Sequence, residues 1–533
     1  MLPENISAVL PRLSWPRSTG LRVGTLLIAL FIPAPVLAIL YIAFFGESQS
    51  APLSNDALFD YFSQTAVYAG GSTLLAIAIA LPAAWLSVMR RLPGGRMAAW
   101  ALFLPFALPP YVTAYAYADF FDFAALPFLG MTSAVIINAL ALYPYVYFFA
   151  RAALRQQPCH IQSAARLMGH SPLAIFARVS WPLARPAVAV GAALALMETL
   201  NDIAIAEHYG IRALGAAVYD LWLNRGDLRA SCRLASLMLI LVAALAALEN
   251  MGRNRQRQYI LHCDRCFECE RAPKIGGFAG GFLLAVILLP AVGGFFLPLG
   301  WLLFLTLDTP TELWAGALGD GLSGSLLLSL LLIVALAVAA SALVLDKRIN
   351  GHGILMSALA KLSQCGYALP GAVLAQGFFV LAAFSGGHVV IFGGLGLILA
   401  ACCTRFFLIA VGALESGMNK IPPQMDIAAK LAKRGTAAVF FGIHLPLLRP
   451  TAAAAAVMIL LEGFKELPMT LILRPFNFDT LATVVYQYAS DEALELAAPA
   501  AVVMALIGVI AVSVIFFMEG RDIRIQEPLK GLK

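Results

Sequence analysis

Runs of about 20 apolar residues, separated by short polar stretches, recur along the whole chain. A helix needs about 20 such residues to cross the hydrocarbon core of a bilayer. Inside that core the backbone must satisfy its own hydrogen bonds, so the runs predict membrane-spanning helices. Twelve are expected, near residues 22 to 46, 65 to 89, 97 to 118, 129 to 150, 183 to 204, 231 to 249, 277 to 305, 322 to 345, 364 to 384, 388 to 411, 450 to 473 and 495 to 518. The first follows Arg12, Arg17 and Arg22 and has the outline of a secretory leader. It stays apolar past the only candidate cleavage point near Ala38, which predicts a retained span. The expected fold is an all-α polytopic membrane protein.

Composition agrees, with 61% hydrophobic and 12% charged residues, against roughly 25% charged in an ordinary soluble domain, and a mean hydropathy of +0.84. Charge then sets the orientation. With the amino terminus inside, 29 of the 36 Lys and Arg residues fall in cytoplasmic segments, and six lie outside: Arg212, Arg225, Arg229, Arg233, Lys465 and Arg474. The positive-inside rule therefore places both termini in the cytoplasm. The net charge of +6 follows from this topology and gives no reason to expect nucleic acid as a partner.

An internal repeat divides the chain. Ala164, Ala165, Trp181, Pro182, Arg185, Pro186, Glu198 and Asp202 correspond to Ala428, Ala429, Leu445, Pro446, Arg449, Pro450, Glu462 and Glu466 at a constant offset of 264 residues. A looser echo links Ala107-Leu108-Pro109-Pro110 to Ala368-Leu369-Pro370-Gly371. Six spans per half, an even number, make the repeats parallel, related by an axis along the membrane normal. The expected domains are a first repeat over 1–255, a cytoplasmic linker over 256–275 and a second repeat over 276–533.

In each half a long basic loop joins the fourth and fifth spans, reading as a short helix, a turn and a second helix that ends at a proline. Small Ala residues allow close approach of a partner, and proline stops a helix. These loops resemble the motif of ABC importer permeases, which runs Glu-Ala-Ala, three residues, Gly, nine residues, Ile, one residue, Leu-Pro. The first copy reads Ser163-Ala164-Ala165, Gly169, Val179, Trp181-Pro182; the second reads Ile427-Ala428-Ala429, Lys433, Ile443, Leu445-Pro446. Neither copy has the leading Glu, although Asp426 sits one residue before its place. Lys433 stands where Gly belongs, and a positive φ there costs a non-glycine residue about 1 kcal/mol or more. Gly435 is therefore expected to take the turn. The resemblance implies the type I ABC importer permease fold, with each loop docking into a cleft of a cytoplasmic ATPase subunit. Twelve helices in two parallel six-helix repeats would then sit in a bacterial inner membrane.

The flanks resemble fused permeases of ferric iron importers over nearly the whole chain, at Leu142 to Tyr147, Ala150 to Arg155, Met197 to Asp202, Lys465 to Pro468 and Leu473 to Thr483. This likeness implies a periplasmic iron-binding protein as donor and a homodimeric ATPase inside; fused permeases for thiamine or phosphonates share the architecture. Glu198 with Asp202, and Glu462 with Glu466, are spaced four apart, on one helix face near the outer end of each fifth span. Charges at such depth are usually functional or paired. Hard oxygen donors suit trivalent iron, so the four carboxylates are candidates for a substrate path. Equally, they would pair with Lys465, Arg474 or Arg212, or cap the end of the span. Arg405, inside the tenth span, is expected to pair within the bundle or to reach the inner face.

Of eight cysteines, Cys159, Cys232, Cys365, Cys402 and Cys403 lie in or beside spans as small apolar fillers. His262, Cys263, Cys266 and Cys269 cluster in the linker, where thiols stay reduced. Their spacing fits a four-ligand zinc site or part of an iron and sulfur cluster, and equally a linker without metal. No Gly-rich loop ending in Gly-Lys-Ser or Gly-Lys-Thr occurs, so ATP would be hydrolysed by a partner and this chain would carry no catalysis. An ion-coupled secondary transporter and a membrane metalloenzyme are the competing readings.

Overall fold

The computed structural model describes residues 19–47, 54–89, 94–125, 127, 130–155, 157, 164–165, 167–256, 277–351, 366–367, 369–384 and 393–525. Helices dominate, and there is no strand among the described residues. In chain order they are α1 (Thr19–Phe45), α2 (Asn55–Met89), α3 (Gly95–Ala107), α4 (Pro110–Phe123), α5 (Met131–Arg155), α6 (Pro172–Asn201), α7 (Ala204–His208), α8 (Leu214–Tyr219) and α9 (Leu228–Gln256). There follow α10 (Gly277–Asp308), α11 (Thr311–Asn350), α12 (Gly371–Phe384), α13 (Gly393–Asn419), α14 (Pro423–Leu431), α15 (Thr436–Lys465), α16 (Pro468–Leu473), α17 (Leu481–Ser490) and α18 (Leu494–Ile525).

Nine helices among the described residues are long and apolar enough to cross a membrane, or ten if one bent pair counts as a span. The bent pair is α3 with α4, at an angle of 87°, and it corrects the expectation of one helix over 97 to 118. Pro105, Pro109 and Pro110 crowd this stretch. Each lacks an N–H and clashes with the preceding turn, so the chain tightens at Leu104–Ala107, turns through extended Leu108 and restarts at Pro110. The eleventh expected span also shifts. Its helix begins at Thr436 and ends at Lys465, and the chain re-enters a separate helix at Pro468. The long α9 and the shorter α12 occupy the remaining two expected places.

Packing divides the chain into two units that interleave the expected halves. One comprises Ile39–Gly324, Ala368–Val373 and Lys465–Lys533; the other comprises Met1–Ala38, Ser325–Tyr367 and Leu374–Phe464. In the first, α2, α5 and α6 pack on one another. Small residues let the backbones approach, as membrane helices require in place of a hydrophobic drive. A Cβ on Gly191 would lie 2.7 Å from the Val146 Cα. Buried polar groups are paired across the same helices: Asn138 Nδ2 donates to Thr199 Oγ1 at 2.8 Å, and the Tyr143 hydroxyl donates to the Leu102 carbonyl at 2.9 Å. In the second unit, Gly377 abuts Pro35, Gly417 abuts Leu448 and Thr451, and Gly463 abuts Ser329.

Candidate functional site

The first motif loop begins its described part at Ala164 and Ala165 in a helical turn. That turn closes when Met168 N donates to Ala164 O at 3.0 Å and His170 N to Ala165 O at 3.2 Å, around Gly169 at φ 77°. Ser171 then caps the next helix, its hydroxyl accepting from Ala174 N at 3.3 Å. At the same offset of 264, Ala432 N donates to Ala428 O at 3.0 Å and Arg434 N to Ala429 O at 3.1 Å, around Lys433 at φ 53°. Lys433 therefore takes the left-handed turn itself, which corrects the expectation for Gly435. Gly435 has φ −70° and opens α15 as its cap residue. The 5-to-1 bond from residue 434 needs residue 433 in that conformation, and a turn moved to 435 would lose it.

Both loops next enter a single π-helical turn, Phe176–Ser180 and Phe440–His444, again 264 apart. The prolines expected to end the second helix do not. Pro182 and Pro446 sit at the start of the regular helices that follow, Trp181–Asn201 and Leu445–Lys465, so loop and span are continuous. A proline leaves the carbonyl four residues back without a partner; widening one turn to i→i+5 bonding rearranges the ladder at that point. Arg185 lies 5.5 Å over the Trp181 ring.

Within each alanine pair the roles divide. Ala165 and Ala429 are buried within the chain, whereas Ala164 and Ala428 face outward. Beside them Leu167 is 90% exposed and Leu431 70% exposed. These leucines also differ by 264, so the repeat itself was the signal that could have marked them. One large apolar side chain standing out on a short polar helix, twice, is the shape of a docking knob.

The carboxylates divide as well. Asp202 ends α6 in extended conformation and caps α7: its Oδ1 accepts from Ile205 N at 3.1 Å, while its Oδ2 accepts from the buried Tyr68 hydroxyl at 2.7 Å. Glu466 does the same at the equivalent place, its Oε1 accepting from Met469 N at 3.1 Å at the start of α16. Two of the partners offered by the sequence are engaged elsewhere, Arg212 with Asp60 at 2.8 Å and Arg474 with Asp479. Lys465 donates to the Phe106 carbonyl and lies 5.0 Å over the Phe106 ring. Glu198 is half-buried and Glu462 is buried. On the outer side, burial holds the His208 imidazole below its ordinary pKa against the opposing pull of Glu492 and Glu207. The Tyr486 hydroxyl donates to Glu207 at 2.7 Å.

With this geometry in view, comparison with known proteins finds a match of residues 17–249 to the family described as binding-protein-dependent transport system inner membrane component. Those residues carry this family's ABC permease domain. The curated relatives include a putative 2-aminoethylphosphonate transport system permease of Salmonella typhimurium, 28% identical over 139 residues, or 25% of this chain and 49% of the relative. A Fe(3+)-transport system permease of Haemophilus influenzae is 27% identical over 224 residues, covering 40% of this chain and 43% of the relative. The molybdenum transport system permease of Escherichia coli is 26% identical over 207 residues, 34% of this chain and 90% of the relative. The chain thus spans about half the length of the first two relatives.

The permease domain includes the first motif loop and the Glu198–Asp202 pair. Ser163 lies outside the described residues, as do His262, Cys263, Cys266 and Cys269 of the linker, and Cys159 and Cys365. Cys232 and Cys402 are buried and unoxidised, in keeping with apolar filling. Arg405 is buried in α13 with its guanidinium 5.8 Å over the Phe406 ring. No group of three or more metal-ligating side chains occurs among the described residues.

Proposed function

We propose that this chain is the permease subunit of an ATP-driven importer in a bacterial inner membrane, with two parallel six-helix halves and both termini in the cytoplasm. One observation carries the reading. The succession of alanine pair, left-handed turn, short helix, π turn and proline-started span occurs twice at an offset of 264, each copy with an exposed leucine. Two copies suit a homodimeric ATPase with one cleft per subunit, and a periplasmic binding protein would deliver the substrate. The substrate we propose is ferric iron. It is supported by the likeness of the flanks, by the iron-transport relative, and by the hard oxygen donors of Glu198 and Glu462.

The test is reconstitution in proteoliposomes with the neighbouring ATPase and binding protein, with Leu167 and Leu431 together changed to Asp. ATPase co-purification should fall at least tenfold, because a charge forced into an apolar cleft is left unpaired. Unchanged co-purification, or uptake driven by an ion gradient without ATPase, would overturn the docking reading. Replacing Glu198 and Glu462 together by Gln should slow labelled ferric iron uptake while ATPase binding stays intact. Uptake of molybdate or 2-aminoethylphosphonate in place of iron would move the substrate to the other relatives' chemistry.

A further inference from the structure

The two docking loops share a backbone but are fastened by different chemistry. In the second, Asp426 stands in the first turn of α14 and is almost fully buried. Its Oδ2 accepts from Arg348 Nε at 2.7 Å, at the end of α11, and its Oδ1 lies 2.8 Å from His444 Nε2, in the π turn leading into α15. Arg348 also donates to the Ile421 carbonyl at 2.9 Å. One carboxylate thus ties together three segments, and Lys347 fixes the same end of α11 to Glu415 on α13 at 2.8 Å.

A carboxylate in an ion pair accepts hydrogen bonds only, so Nε2 of His444 carries the proton. His444 is 3% exposed and its Nδ1 has no hydrogen-bond partner. The imidazole is therefore held by Asp426 alone, and its orientation depends on that one bond.

The first loop has no such arrangement at the corresponding places. Position 180 matches 444 and position 157 matches 421. There Gln157 Nε2 donates to the Ser180 carbonyl at 2.9 Å, a single bond between neutral groups. Breaking one partner of a buried charge pair leaves an uncompensated charge, whereas losing a neutral bond of this kind costs far less.

We propose that Asp426, His444 and Arg348 are positioning residues that clamp the second docking helix to its span and to α11, so that an ATPase subunit moves the three together. The first loop, held by one neutral bond, yields more. This rests on the docking reading above, and the experiment separates the two. In the full complex in proteoliposomes, Leu431→Cys and, separately, Leu167→Cys are cross-linked to a cysteine in the ATPase cleft. In the Leu431→Cys background, His444→Phe should lower cross-link yield at least fivefold, and His444→Gln, which keeps a donor at the Nε2 position, should restore most of it. Arg348→Lys keeps the charge but loses the fork that reaches both Asp426 and Ile421; it should lower the yield too, and serves if His444→Phe fails to accumulate. Cross-linking at Leu167→Cys should stay within twofold in all three. ATP hydrolysed per substrate imported should rise severalfold in His444→Phe and return in His444→Gln. Unchanged yield at Leu431→Cys, or equal loss at both loops, overturns the clamp. Absence of cross-linking at either leucine in the otherwise unmodified chain would instead remove the docking reading on which it stands.

Discussion

Lys433→Gly is the substitution whose effect follows most directly from the backbone. Lys433 sits at φ 53° with its side chain exposed, and the turn it makes is closed by Arg434 N to Ala429 O at 3.1 Å. The left-handed conformation costs a residue with a Cβ about 1–2 kcal/mol. Glycine removes that cost but loses about 0.5–1 kcal/mol through the greater freedom of the unfolded segment. The net gain is about 0.5–1 kcal/mol, a factor of roughly two to five in the closing equilibrium of the turn. Gly169 supplies the reverse experiment. A Cβ there would meet no atom within 4 Å, so the cost of Gly169→Lys is purely conformational and should match in size with opposite sign. Amide hydrogen exchange at Arg434 and at His170 reads the two turns directly, since their N–H groups make the closing bonds. Protection at Arg434 should rise two- to fivefold in Lys433→Gly, and protection at His170 should fall as much in Gly169→Lys. If neither amide changes by more than its replicate error, the left-handed turn does not limit loop opening and the reasoning fails.

Three further outcomes follow from the packing and the caps. Asp202→Ala removes both a helix cap and the acceptor of the Tyr68 hydroxyl; it should cost about 2 kcal/mol, and Tyr68→Phe about 1 kcal/mol, measured by thermal unfolding in detergent. Equal losses in the two would mean that the cap contributes nothing. Gly191→Ala places a methyl 2.7 Å from the Val146 Cα and 2.9 Å from the Tyr145 carbonyl; separating α5 from α6 should cost about 1–3 kcal/mol and lower the melting temperature. Gly412→Ala on α13, where a Cβ would meet no atom within 4 Å, should leave the melting temperature unchanged or slightly raised, and a loss as large as that of Gly191→Ala would contradict the close-packing argument.

The spans were legible because a bilayer leaves the backbone few options, and an apolar run of the right length has nearly one solution. What hydropathy cannot show is a change of hydrogen-bond register inside an apolar run. The bend between α3 and α4 was signalled by Pro105, Pro109 and Pro110, residues that served in the sequence only as an echo of 368–371. The π turns were hidden because the hydrophobic pattern of a fully apolar helix has no phase to slip. The caps were nearer to hand: Asp202 lies three residues before Ile205 and Glu466 three before Met469, the spacing at which a side chain reaches the first free N–H of a helix. Spacing four apart within each pair suggested instead a shared face.

The same comparison explains which features of the docking loops can vary. The left-handed turn survives the change from Gly169 to Lys433 because a 5-to-1 backbone bond enforces it, and that bond is worth about as much as the strain it imposes. The π turn survives between Ser180 and His444 because the proline two residues on demands it whatever side chain precedes it. Side chains that only fasten the loop were therefore free to diverge, to Gln157 in one copy and to the Asp426 clamp in the other. An apolar residue at 167 and 431 performs neither task. It makes no turn, caps no helix and stands in solvent, so its presence in both copies has no internal cause, and an external surface common to both loops is the remaining one.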